Sequence, residues 1–356
     1  MKRSSSPSDD DELSEPGAKR VSSDSTSVSD TDDSFVMPKE QEDWVTWASM
    51  RALFPPDTLL DTDFKRDLNI KWGYQQRTQT ARRTADGLVV AIKGYEPPND
   101  NELRPPFAPS KVHQIAFFSE FEHPGIPSYL GHFLEDWRIN LVFAYDQDAP
   151  DLEHLVGERN LSEAEVSHYV MQLAEVLNHF HTNGAVLRAM DPSSVKCYPG
   201  YHIKLVCLDS WDLLDPDGFT SGDHGLSNAR APEMLAGGQY GTSVDWWNLG
   251  FMMYYLCTYR QPFQDRKFLL YNLTKRTNLQ RASLMYSSLK ITYLGSHVAH
   301  AEVIFPRTMS EPMREMITLL LKKDPMERIT SLAALKDLPI YSNIWPPRPL
   351  NNLFWG

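Results

Sequence analysis

Along residues 162–184 the apolar positions Val166, Val170, Leu173, Leu177 and Phe180 recur every three or four residues. That spacing places them on one face of a helix. Ser162 with Glu165 fits a capping box at its start, and Gly184 supplies its stop. Residues 246–258 are apolar on every side, so this second helix is expected to be buried all round. Upstream, residues 88–92, Leu-Val-Val-Ala-Ile, form a short apolar run after Asp86-Gly87 and read as a strand leaving a turn. The chain is thus strand-rich first and helix-rich second, without internal repeats, which predicts an α+β plan in two lobes.

The first 34 residues have a different pattern: Ser, Asp, Pro and Gly with almost no large apolar side chains. Such a stretch buries too little surface to offset its ordering entropy, so residues 1–40 are expected to be a disordered, acidic, Ser-rich arm. From Trp44 the composition is globular, and 41% hydrophobic with 11% aromatic residues over 356 positions supports a sizeable core. The net charge of −12 is concentrated at the front, where residues 1–43 hold twelve acidic side chains against five basic ones. The remainder is mildly acidic and has no basic stripe, which argues against a dedicated nucleic-acid binder. No apolar run reaches the roughly 18 residues of a membrane span, and the polar start from Met1 to Asp11 does not read as a secretory leader. Cys197, Cys207 and Cys257 are widely spaced and odd in number, which suits a reducing compartment and neither a disulfide framework nor a zinc site.

Four short motifs then follow one another in order. They are Val90-Ala91-Ile92-Lys93, Ala231-Pro232-Glu233, Asp245-Trp246-Trp247-Asn248-Leu249-Gly250 and Asp324-Pro325-Met326-Glu327-Arg328. Each is common alone; in this order they make the chain resemble the protein kinase superfamily, of the serine/threonine type, over residues 65–345. The resemblance implies a bilobal fold with a small β-rich N-lobe (65–145) and a larger helical C-lobe (146–345). Residues 41–64 would then be an N-terminal extension and 346–356 a C-terminal tail.

The resemblance also implies roles. Lys93 is expected to pair with nucleotide phosphates, with Ala91 beside the adenine. Gly73 is the one glycine kept where a phosphate-covering loop has three, Lys71 and Gln76 filling the other places. Gln114 stands where a glutamate partner for Lys93 is expected; it can accept a hydrogen bond but supplies no countercharge. In the catalytic loop, read as Leu187-Arg188-Ala189, alanine replaces the base that orients the substrate hydroxyl, and Ser194 replaces a metal-binding asparagine. Cys207 replaces the metal-binding aspartate, and a neutral thiol is a poor ligand for magnesium. No catalytic residue is intact on this reading, and no metal site is expected. Asp191 and Asp209, each two residues beyond a lost aspartate, are the possible substitutes. Arg188, Gln114, Asp245 and the pair Glu233 with Arg328 are expected to be structural, and Leu187, Leu208 and Phe118 to stack in an internal hydrophobic spine.

What these readings imply together is a pseudokinase: a scaffold or allosteric regulator that binds another protein, a kinase or a kinase substrate, inside the cell in cytoplasm or nucleus. The expected contact surfaces are residues 112–120 and 264–300. The alternatives are a divergent active serine/threonine kinase using ATP and a weak nucleotide sensor that binds ATP without strong magnesium dependence. No nucleic acid or membrane partner is expected.

Overall fold

The computed structural model describes residues 59–70, 78–95, 117–118, 121–135, 138–146, 148–206, 210–222, 229–263 and 298–342. Its first lobe is an antiparallel sheet of β1 (Phe64–Ile70), β2 (Thr78–Arg83), β3 (Val89–Tyr95), β4 (Tyr129–Glu135) and β5 (Arg138–Ala144), in the order β1-β2-β3-β5-β4. The two-residue period of a strand sorts its side chains. Val90, Ile92, Phe133 and Val142 join Phe64 and Ala81 in a small core on one face. Ile139, Leu141 and Phe143 leave the other face and merge with the core of the helical lobe.

The turn between β2 and β3 accounts for a one-residue offset from the apolar run. Gly87 adopts φ 73°, and the Leu88 amide donates to Asp86 Oδ1 at 3.1 Å. Leu88 therefore belongs to the turn and is 37% exposed, and the strand begins at Val89 and continues to Tyr95.

In the second lobe, α1 (Leu152–Glu158) precedes the long α2 (Glu163–Thr182). The Ser162 hydroxyl accepts from the Glu165 amide at 3.3 Å, and the Glu165 carboxylate accepts from the Ser162 amide at 2.8 Å, a reciprocal cap. Val166, Val170, Leu173, Leu177 and Phe180 are all fully buried, and Gly184 leaves the helix with φ 72°. Two short ladders follow, β6 (Ala185–Val186) with β9 (Asp212–Leu213) and β7 (Val195–Tyr198) with β8 (His202–Leu205). After α3 (Pro232–Leu235) comes α4 (Ser243–Thr258), buried through Trp246, Trp247, Leu249, Met252 and Met253, while Phe251, Tyr255 and Cys257 are half-buried rather than enclosed as the all-round apolar pattern predicts. The described chain ends with α5 (Glu311–Leu320), α6 (Leu332–Lys336) and α7 (Pro339–Ser342). The architecture is α+β and bilobal.

Gly250 sets how closely α4 and α5 approach. A Cβ there would lie 2.7 Å from Leu320 Cβ and 3.1 Å from Leu321 Cγ. Alanine gains about 1 kcal/mol of helix propensity, whereas overpacking costs about 1–3 kcal/mol. Leu320 Cβ is anchored to backbone and cannot swing away, so overpacking prevails. Gly250→Ala is expected to lower the urea midpoint with an unchanged m-value. Among the described residues no helix is long and apolar enough to cross a membrane.

Candidate functional site

The β6–β9 ladder sets the loop 187–194 beside the segment 210–222, and Val206 at the end of β8 packs with Ala91 of β3. Asp245 in the first turn of α4 ties the first loop down. Its carboxylate is 1% exposed and accepts from the Leu187 amide at 2.8 Å, the Arg188 amide at 2.7 Å and His181 Nε2 at 2.8 Å. Asn248, one turn on, donates to the Arg188 carbonyl at 3.1 Å. These bonds hold Arg188 in the left-handed region, φ 66°, which an L-residue adopts only when its surroundings impose it.

The buried Arg188 guanidinium then grips the second loop. It donates to the Ser210 and Trp211 carbonyls, to Asp212 Oδ2 at 2.9 Å and to the Ser221 carbonyl at 3.3 Å. Thr220 donates to the same Asp212 oxygen at 3.0 Å and forms an isolated bridge with Tyr240. The charge that orders this segment is thus a carboxylate of the chain itself.

Ala189 follows Arg188 half-buried, presenting a methyl group. Asp191 caps the single 3-10 turn Pro192–Ser194: its carboxylate accepts from the Ser193 amide at 3.0 Å and from the Ser193 hydroxyl. The buried Ser194 hydroxyl donates back to the Asp191 carbonyl at 2.6 Å and accepts from the Asp191 amide at 3.2 Å.

Above these loops, Lys93 and Ala91 share the inner face of β3, in register with Leu141 and Phe143 of β5. Ala91 is fully buried and packs on Val206, and the half-buried Tyr145 packs against this pair. Behind them lies an aromatic cluster. Trp211 sits 4.8 Å from Phe117 and 4.8 Å from Phe118, and Phe118 meets Phe143 edge-on at 5.8 Å. Leu187 is buried in the same core. Gly73, Gln114, Cys207 and Asp209 lie outside the described residues, as do Lys71, Gln76 and Leu208.

At the base of the second lobe, Arg328 forks onto Glu233: Nη1 to Oε1 at 2.6 Å and Nη2 to Oε2 at 3.0 Å. Arg328 also donates to the Ser243 and Lys322 carbonyls and lies over the Trp247 ring at 5.1 Å. Lys323 caps the stacked Trp247–Phe263 pair, its ammonium 3.7 Å from the Phe263 centroid. Burial lowers the Lys323 ammonium to about 8, with Arg328 adding to the effect.

A family model described as protein kinase domain matches residues 73–338, three quarters of the chain. The chain belongs to the protein kinase family. Among similar kinases is an Aurora kinase of Eremothecium gossypii, 24% identical over 254 residues that cover 71% of this chain and 62% of that protein. A RAC family serine/threonine-protein kinase homolog of Dictyostelium discoideum is 25% identical over 229 residues, covering 63% and 46%. Protein kinase C zeta type of Oryctolagus cuniculus is 29% identical over 196 residues, covering 54% and 30%. The chain therefore spans less than two thirds of the length of these three relatives.

In this kinase fold Asp245 holds Leu187 and Arg188, Asp191 and Ser194 bond each other a few residues on from Ala189, Ala91 packs on Val206 with Lys93 on the same face of β3, and Arg328 pairs with Glu233. Sequence reasoning missed Asp212, Trp211, Tyr145 and Val206. Trp211 carried a usable signal, since a large aromatic just beyond the Cys207-Leu208-Asp209 triplet needs a core to enter. Asp212 carried none, because nothing near it in sequence marks it as the partner of an arginine 24 positions earlier.

Proposed function

We propose that the chain is a pseudokinase: a kinase-fold protein that binds another protein, a kinase or kinase substrate, and regulates it without transferring phosphate. The observation that carries this reading is the methyl group of Ala189. A general base must accept or direct a proton, and its loss typically costs about 10² to 10⁴ in rate. The neighbouring groups do not fill the gap, because the Asp191 carboxylate caps its own turn and the Ser194 hydroxyl closes back on the Asp191 carbonyl. Side chains that shape the loops remain in place, Asp245 under Leu187 and Arg188 and Arg328 on Glu233. Shape is retained where proton chemistry is not, the combination a static binding module needs.

The described residues do not fit a metal–nucleotide. Around the catalytic loop they offer no free carboxylate pair for magnesium, whose ligands are hard oxygens in octahedral array. Cys207, at the remaining ligand position on this reading, adds a thiol in place of an oxygen. A second reading, a divergent serine/threonine kinase, draws on the names of the relatives and on Lys93 lying on the inner face of β3.

Radiolabelled ATP with generic protein substrates separates the two. The pseudokinase predicts incorporation by the full chain no greater than by Lys93→Ala. Turnover that disappears on Asp191→Ala or Asp209→Ala overturns it in favour of the divergent enzyme.

A further inference from the structure

We infer that Val206 and Tyr145 close the cleft to purine nucleotides, so that exclusion of the base is built into the protein independently of its missing catalytic groups. Ala91 hangs from the N-lobe sheet, and Val206 rises from the C-lobe at the end of the β7–β8 hairpin, its amide held at 2.8 Å by the Ser194 carbonyl. These two side chains belong to opposite walls, yet they form one small apolar cluster, with Ala91 at 0% and Val206 at 7% exposure. Apolar side chains in contact have heavy atoms within about 4.0–4.5 Å. A flat ring sandwiched between two walls needs about 3.5–4 Å on each side, or roughly 7–8 Å from wall to wall. Packed in one cluster, Ala91 and Val206 leave no room for a ring between them.

Tyr145 completes the closure from the segment that joins the lobes. It packs on the Ala91–Val206 cluster. The Lys196 ammonium lies over its ring, 6.0 Å from the centroid, and is itself anchored to the Ala149 carbonyl at 2.8 Å. The phenol thus has both an apolar contact and a fixed cation as neighbours, which favours the ring staying in place. Lys196 and Tyr198 share one face of β7, while Val195 and Cys197 enter the core, so the floor beside the slot carries a cation and a phenol. Burial, then the nearby Asp146 and Tyr145, pushes the Tyr198 hydroxyl up to about 12, so it stays neutral there.

The inference deepens the pseudokinase reading, and the two fail separately. Adenosine and ATP without magnesium are titrated by calorimetry into the wild-type chain, Val206→Ala, Tyr145→Ala and the double variant. The expected result is no saturable binding to wild type at ligand concentrations up to about 1 mM, and a gain of about tenfold or more in affinity for the double variant. Wild type that saturates with adenosine below about 100 μM overturns the inference, and does so even if no phosphate is transferred, leaving the pseudokinase reading intact. A double variant that unfolds cooperatively like wild type but binds no better also overturns it. If the double variant does not fold, Val206→Ala alone is judged by the same criterion, because removing two methyl groups is a small perturbation at a 7% exposed site.

Discussion

Replacing Arg328 by methionine is expected to lower the unfolding free energy by about 3–5 kcal/mol, the cost of stranding one partner of a buried ion pair. Glu233 then keeps its charge with its two shortest hydrogen bonds gone, the 2.6 and 3.0 Å contacts to the guanidinium. The carbonyls of Ser243, Lys322 and Lys323 lose their donor at the same time, and Trp247 loses the cation over its face. Among the described residues the Ser243 hydroxyl, at 3.2 Å from Glu233, is then the remaining donor to the carboxylate. Removing both charges together tests whether stranding is the cause. Glu233→Leu with Arg328→Met is expected to cost less than the sum of the single changes, since neither charge is then left alone. Urea unfolding of the four proteins provides the cycle. Strict additivity would mean that the arginine acts through its carbonyl contacts and packing on Trp247 alone.

That pair joins residues 95 positions apart, and its legibility differs from that of the helices. The α2 cap and its buried stripe follow from Ser162, Glu165 and a three-to-four spacing within one segment, where local geometry and burial agree. Much the same holds for α4, whose apolar residues are buried except for a half-buried strip at Phe251, Tyr255 and Cys257. Glu233 with Arg328 was readable only through the order of motifs, because periodicity says nothing of which distant groups meet. The loops around the cleft were read by their substitutions, so Ala189 and Asp191 stood out while Asp212 and Val206 did not. Asp212 is one of many acidic residues in its stretch, and only the β6–β9 ladder, itself two residues long, carries it to Arg188. Val206 looks like any strand residue until the sheet above it is placed. The offset at Leu88 has a simpler origin: hydropathy favoured including it in the strand, whereas the Asp86 side chain and the left-handed Gly87 claim its backbone for the turn.

Asp245→Ala should be the most damaging change near the cleft, at about 4 kcal/mol, because it orphans several buried donors at once, each worth about 1–3 kcal/mol. The Leu187 and Arg188 amides and His181 Nε2 all point at this one carboxylate. The consequence extends beyond the loop. Arg188 keeps its left-handed backbone only while both ends are held, and through its side chain it fixes Ser210, Trp211, Asp212 and Ser221. Asp212→Asn is the informative comparison. That carboxylate is 27% exposed, and Arg188 retains three carbonyl partners without it, so solvent screening leaves a cost of about 1 kcal/mol or less. Hydrogen exchange at Leu187 and Arg188 distinguishes a hub from a general loss of stability. In Asp245→Ala these amides should exchange far faster than those of α2, whose buried stripe the change does not touch. In Asp212→Asn they should remain protected. Equal costs for the two substitutions would show that the second loop, rather than Asp245, holds the first in place.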